Sequence, residues 1–297
     1  MAGVYLVGLA VVDFVFSVDK FPAGGDKFQA GDARIVSGGC AANAAVAVSR
    51  LGGAAALAAR VGDDLVADLI AAEMAAEGVH TGGIHRTADG RSSFSAVYLD
   101  RAGERQIVNF RGAGLGGDAG WLALPPDTAA VLTDNRWHAG MRAALALARQ
   151  KGVPGIVDAE VLSGGRSSLA QATHVAFSRQ GLQSLAPQER DAARALAAVR
   201  PLLRGWACVT DGENGVFFTA KKTIENIPAW PVKVRDTLAA GDVWHGAFAL
   251  RLAEGADEEA AVTFANAAAA LKCAAGGGRD GCPRRRAVEN FLRAKSK

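Results

Sequence analysis

Short apolar runs that each end in polar residues, with helical stretches between them, constrain this chain more than any other feature. They are VYLVGLAVV (4–12), AALAARVG (55–62), AAVLTDN (129–135), GIVDAE (155–160), HVAFS (174–178) and ACVTDG (207–212). Near-continuous apolar runs containing β-branched residues suit strands buried on both faces, as in parallel sheets. The stretches 40–52, 64–79, 141–152 and 187–201 between them carry helical patterns, with Gly52 and Gly78 as stop signals. This alternation predicts an α/β fold, a doubly wound and mostly parallel sheet with helices on both faces. Half of the 297 residues are hydrophobic but only 6% are aromatic, so the core must be built from small side chains.

Two segments break the rhythm. Residues 13–39 alternate polar and apolar and are rich in turn residues, which reads as half-exposed strands. Residues 92–110 read as a hairpin around Asp100-Arg101-Ala102-Gly103. Together they predict a small second sheet, a lid of about 14–36 and 92–111 inserted in a single domain spanning 1–297. The arginine run 284–286 reads as a solvated helix face.

A net charge of +3 gives no reason to expect a nucleic-acid partner, so affinity for an anion must come from local groups. Cys40, Cys208, Cys273 and Cys282 are scattered, without a CxxC or zinc spacing, as in reduced thiols of a cytoplasmic protein. The apolar start is stopped by Asp13, too short for a membrane span and without a basic leader. The expectation is a cytoplasmic protein with no membrane partner.

The segment 234–255 carries the most chemistry. A small-residue turn, Ala239-Ala240-Gly241, leads to Asp242 and a helix with Val243, Ala247 and Leu250 on one side. A helix N-terminus offers free N–H groups and the positive end of the dipole, and small residues let an anion approach. A carboxylate there suits a base that takes a proton from a hydroxyl beside the anion. Taken alone, the turn favours Asp242 serving only as an N-cap, since Asp is common there.

Gly38-Gly39 precede a helix with Asn43 in its first turn, which suits recognition of a polyhydroxyl ligand, or an ordinary turn with a capping Asn. The segment 209–215, with Thr210, Gly212 and Gly215, suits a phosphate-contacting loop or simply a hairpin turn. Asp13 closes the first run, where open α/β sheets bind ligands, and a carboxylate can accept two sugar hydroxyls. Gly112, Gly114 and Gly117 match GxGxxG but follow a hairpin rather than sit in a βαβ unit. His138 and His245 stand beside tryptophans, which favours packing or hydrogen bonding over metal binding.

Taken together these segments resemble the ribokinase (PfkB) family of carbohydrate kinases. The first signature corresponds to Gly38-Gly39 through Asn43 to Leu51-Gly52, and the second, DTxGAGD, to Asp236 through Asp242. The resemblance covers essentially the whole chain. It implies a β-lid, ATP as donor, Mg²⁺, a sugar substrate and a homodimer through the lid, and leaves room for a monovalent cation. By the same resemblance Asp242 is the base, the backbone of Ala239, Ala240, Gly241 and Asp242 is the anion hole, and Asp13, Gly38, Gly39 and Asn43 hold the sugar. Ser178, Thr210, Gly212, Gly215 and Asn266 are the implied nucleotide contacts.

Two positions depart from the pattern. Ala239 stands where many members have Gly, and Ser178-Arg179-Gln180-Gly181 occupies the place of the NxxE motif linked to magnesium and phosphate. The metal ligands are therefore unassigned. The segments 134–140, 146–153, 175–182 and 268–283 look closest to the sulfofructose kinase branch, and 7–22 also resembles ketohexokinase. In the sulfofructose branch a Lys, an Asn and an Arg are implied to hold a sulfonate, and Lys27, Asn109 and Arg136 occupy the matching contexts. Lys and Arg charge with an amide donor is the chemistry a sulfonate needs. The expected reaction is phosphorylation of 6-deoxy-6-sulfofructose at its C1 hydroxyl. A fructokinase, ketohexokinase or another sugar or sugar-phosphate kinase is the alternative, and a non-catalytic sugar- or nucleotide-binding regulator a third reading.

Overall fold

The computed structural model describes residues 1–101, 104–160, 166–221 and 223–295. The first apolar run does not form one strand. β1 (Gly3–Val7) is fully buried, the chain breaks over 8–10, and β2 (Val11–Ser17) begins in a different sheet. Gly8 and Asp134 explain the break. A Cβ on Gly8 would lie 2.1 Å from Asp134 Oδ2, and that carboxylate instead accepts the N–H of Leu9 at 2.6 Å and of Arg136 at 2.9 Å. Asp13 consequently lies within β2, not at the end of β1 as the apolar pattern suggested. Hydropathy alone cannot separate two apolar strands joined by three uncharged residues.

After β2 the chain forms β3 (Asp32–Gly38), α1 (Cys40–Arg50), β4 (Ala54–Gly62), α2 (Leu65–Ala76) and β5 (His80–Thr87). β6 (Phe94–Leu99) and β7 (Arg105–Phe110) make the expected antiparallel hairpin, with Ala102 and Gly103 outside the described residues. β8 (Thr128–Asp134), α3 (His138–Lys151), β9 (Gly155–Ala159), α4 (Arg166–Leu169), β10 (His174–Ser178) and α5 (Arg179–Leu185) follow. The helix read over 187–201 starts later, as α6 (Ala192–Val199), because Asp191 caps it by accepting the N–H of Arg194 at 2.8 Å. β11 (Trp206–Thr210), β12 (Val216–Ala220), β13 (Thr223–Ile227), α7 (Ala240–Ala253), α8 (Glu258–Ala275) and α9 (Arg285–Lys295) complete the chain.

Among the described residues the main sheet runs β13-β12-β11-β10-β9-β8-β1-β4-β5, parallel from β11 to β5. The order reverses at β1, between β4 and β8, which opens a crevice at the carboxyl ends of these strands. The lid is a separate sheet, β3-β2-β6-β7, and its strands reach from Val11 to Gly38, slightly beyond the expected 14–36. Its register sets Val36, Asp13, Ser95 and Asn109 side by side across the four strands.

The core explains the alanine content. Ala41 to Val48 of α1 and Val243 to Leu250 of α7 are buried together. A Cβ on Gly246 would lie 2.5 Å from the carbonyl oxygen of Ala44, so these two helices touch at backbone distance. Larger residues there would push apart the two helix starts that carry the site. The arginine run 284–286 is only partly solvated. Arg285 is half-buried, donates to the carbonyl of Leu51 at 2.6 Å and pairs with Glu254.

Candidate active site

α7 begins at Ala240, and its N-cap is Ala239 in the left-handed conformation (φ 61°), with no side chain capping the helix. Asp242 is therefore the third residue of the first turn, which rules out the N-cap reading. Its carboxylate accepts a hydrogen bond from Asn43 Nδ2 at 2.7 Å. Asn43 is itself no cap. It is buried in α1 behind the N-cap Gly39, and its Oδ1 has no protein partner. The two family signatures, 199 residues apart in sequence, meet at this one bond.

The candidate anion hole has fewer free donors than the sequence suggested. Ala240 N–H is returned to the carbonyl of Thr237 at 3.1 Å and Val243 N–H to that of Ala239 at 3.0 Å. Among the described residues no acceptor takes the N–H groups of Gly241 and Asp242. A Cβ on Gly241 would meet nothing within 4 Å, so the turn that carries these two donors has open space beside it. That is a cradle a phosphoryl oxygen fits.

Asp158, at the end of β9, was not singled out in the sequence. It is buried, and its carboxylate lies with that of Asp242 and the thiol of Cys40 within 4.8 Å of one another. His245 sits one turn along α7. Its Nδ1 donates to the carbonyl of Gly241 at 2.8 Å, and its Nε2 lies 3.5 Å from Asp158 Oδ1. Burial, and next the charge of Asp158, push the Asp242 carboxyl up to about 7, against the opposite pull of the Asn43 amide and His245. Burial likewise pushes Asp158 well up and His245 down. A carboxylate poised near neutrality suits a general base.

The sugar-facing candidates gather on the other side of the crevice. Asp13 leans over Gly38, where a Cβ would lie 2.8 Å from its Oδ2. Gly39 (φ 97°) passes so close to Leu9 that a Cβ would meet that carbonyl at 2.4 Å. Ser95 hydrogen-bonds Asp13 and accepts from Asn109 Nδ2 at 3.0 Å, which links three adjacent strands of the lid. Burial raises the Asp13 carboxyl and the Ser95 bond offsets part of that.

A cavity of about 380 Å³ opens beside β7, and of the residues just named only Leu9 and Asn109 line it; Asp13, Gly38 and Gly39 do not. Asn109 and Arg136 line it, together with Arg60, Arg111, Ser93 and Trp137. Ile107, Asn109 and Arg111 reach it from alternate positions of one strand and its continuation. Lys27 is not brought there. It stands exposed on the loop between β2 and β3, outside the lining residues, because a long connection is not bound to the register of its flanking strands. Arg60 and Arg111 were missed. Arg111 could have been found from its spacing two residues after Asn109. Arg60 stacks over Trp137 at 4.6 Å, and Arg136 pairs with Glu160.

The nucleotide-side candidates divide. Thr210 ends β11, and Gly212 (φ 55°) has open space where a Cβ would be. Gly215 (φ 85°) is required by the fold itself, since a Cβ would meet the carbonyl oxygen of Ile227 at 2.2 Å. Residues 211–215 are the turn of an antiparallel hairpin between β11 and β12, and Val209 and Thr210 are paired within β11. Ser178 caps α5 by accepting the N–H of Gly181 at 3.0 Å. Asn266 is a correction. It is buried in α8, accepting from Trp244 Nε1 at 2.8 Å and donating to the carbonyls of Ile227 and Pro228, so its amide braces the scaffold. Gly112 and Gly114 lie in the connection after β7, where Ala113 bridges Arg91, not in a βαβ unit.

The model of the pfkB family carbohydrate kinases matches residues 1–285. The ribokinase of Bacillus subtilis is 29% identical over 98% of this chain and 100% of its own length. An uncharacterized sugar kinase of Escherichia coli is 28% identical over 90% and 87%. Among solved structures, a ribokinase-like chain from Agrobacterium tumefaciens superposes with a TM-score of 0.90 at 34% identity, covering 99% of this chain and 98% of that one. The Arabidopsis thaliana ribokinase complexed with ribose and ATP gives 0.85 at 22% identity over 98% of each chain, a likeness of fold.

Proposed function

This chain belongs to the pfkB family of carbohydrate kinases, and on that premise we propose that it phosphorylates a hydroxyl of a sugar carrying an acidic group. ATP, when bound, supplies the phosphoryl group. Asp242 accepts the proton of the attacking hydroxyl, and the N–H groups of Gly241 and Asp242 hold the charge that builds on the transferred group. Asn43, bonded to Asp242, fixes the carboxylate toward the cleft. Asp13, tuned by Ser95, accepts sugar hydroxyls, and Gly38 and Gly39 leave the room for it. Thr210 and Gly212 border the nucleotide. Ser178 to Gly181 offer no carboxylate for magnesium.

The observation that carries the substrate class is the arginine set of the lid cavity. Arg136 has Glu160 as partner, whereas Arg60 and Arg111 make no ion pair among the described residues. Guanidinium groups facing a cavity beside an amide suit a sulfonate, phosphate or carboxylate. The case proposed is 6-deoxy-6-sulfofructose, converted to its 1-phosphate. A neutral pentose or ketohexose is the second reading, favoured by the ribokinase and fructokinase names of the relatives.

An ADP-release assay with ribose, fructose, fructose 6-phosphate and the sulfosugar decides between them. A kcat/KM for either acidic sugar above those of the neutral ones is expected. Equal or better turnover of ribose or fructose refutes the acidic-group assignment. Pairing of two lids is part of the same proposal, supported by the outward-facing Ile35 and Val108, 56% and 63% exposed. Sedimentation of Val108→Lys, expected to shift toward the monomer, tests that pairing.

A further inference from the structure

Among the described residues Lys272 is the one lysine that is completely buried (0% exposed). It lies in the last turn of α8. A buried ammonium is tolerated only when its hydrogens meet charged or dipolar oxygens. Its Nζ donates to the main-chain carbonyl of Asp236 at 2.9 Å and to Asp236 Oδ2 at 3.0 Å. The same carboxylate accepts the N–H of Gly278 at 2.7 Å and of Leu238 at 2.8 Å. The N–H groups of Arg235 and Asp236 go to the carbonyl of Cys273 at 2.9 and 3.2 Å.

Residues 235–238 are thus clamped to the end of α8 and to the glycine loop behind it. The clamp ends one residue before Ala239, whose positive φ is unfavourable for a residue with a Cβ. Such a conformation persists only where its surroundings over-determine it. Everything the cleft needs from this stretch depends on it, because the free N–H groups of Gly241 and Asp242 follow directly.

We infer that Lys272 is a positioning residue, a tethered cation that holds the anion-hole turn in its working geometry and makes turnover indifferent to alkali ions. The inference rests on the kinase reading of that turn. An alkali ion stiffening the same turn would need oxygen donors such as the carbonyl and carboxylate of Asp236. Both are already committed to the ammonium, so the residues do not fit a further ion there.

The experiment compares potassium, sodium and choline chlorides at constant ionic strength. Wild-type turnover is expected to agree within about twofold across the three, once general screening is equal. Lys272→Ala is expected to lose about tenfold to a hundredfold in kcat in choline, with the sugar KM nearly unchanged. Potassium or ammonium, small enough to enter the emptied space, should restore part of the loss. They should also raise the melting temperature of the variant over choline, but not that of the wild type. Several-fold activation of the wild type by potassium overturns the inference, and so does a folded Lys272→Ala with wild-type kcat in choline. If the variant does not fold, the wild-type comparison decides alone. If no sugar is turned over, the kinase reading fails, and potassium stabilisation of the wild type in the melting arm still overturns the tethered cation.

Discussion

The pairing of Asp242 with Asp158 leads to a sharp prediction about pH. With the base at about 7, roughly a tenth of it is ionised at pH 6 and nine-tenths at pH 8. Because only the ionised form accepts a proton, kcat/KM should fall about tenfold from pH 8 to pH 6. The Asp158→Asn substitution keeps shape and removes charge. Two ionised carboxylates within 4.8 Å repel by about 3 kcal/mol at an effective dielectric of about 20, or about two pH units. Burial raises Asp158 well above its ordinary range, so the two-unit figure is an upper limit. An acid limb moved down by about one unit is the expectation. The variant should then be about fivefold faster than wild type at pH 6 relative to its own plateau, and equal at pH 8. Glu160 also raises the Asp242 carboxyl, while Asn43 and His245 lower it, and all three are unchanged in the variant. Initial rates from pH 5.5 to about 8.5, with ATP saturating, measure both limbs. The terminal phosphate of ATP titrates nearby, so the difference between the two proteins is the readout. An unmoved or raised limb in Asp158→Asn refutes the reasoning.

Asp242→Asn should lower kcat by about 10²–10⁴-fold in the same assay, as expected for removal of a general base. The fold holds this carboxyl above its unfolded value, so its contribution to stability is present at low pH and lost as pH rises through about 7. The Asn variant should therefore be more stable than wild type at pH 8, by about 1–3 kcal/mol, with the advantage shrinking toward pH 5. Denaturant melts at both pH values check the sign. Gly241→Val should fold with wild-type stability, because its Cβ meets no protein atom, yet lose about a hundredfold or more in turnover by filling the cradle. Arg111→Ala should raise KM for an acidic sugar about tenfold or more and leave a neutral sugar nearly unaffected, as read from substrate-panel kinetics.

The strand-and-helix alternation was legible because parallel strands are short, apolar and end in polar residues. The lid was legible because half-exposed strands alternate. The chain lost legibility where two elements of like hydropathy abut. Gly8 to Ala10 separate β1 from β2 without a charged residue, and only the buried Asp134 carboxylate shows why the chain turns there. The start of α6 was misread because Asp191, its cap, lies within a run of residues that all tolerate a helix.

The site divides in the same way. By itself the sequence determined the small-residue turn before α7, the paired glycines before α1 and the helix starts that carry Asn43 and Asp242, because local backbone requirements and motif spacing are one-dimensional. Tertiary structure decided the rest. It made Asp242 a free carboxylate rather than a cap, set Asp158 beside it, gathered Arg60 and Arg111 instead of Lys27 around the cavity, withdrew Asn266 into the core, and buried Lys272 under the turn. Each of these depends on side chains remote in sequence meeting in space. Desolvation and Coulomb interaction act on that spatial neighbourhood, which no local pattern encodes.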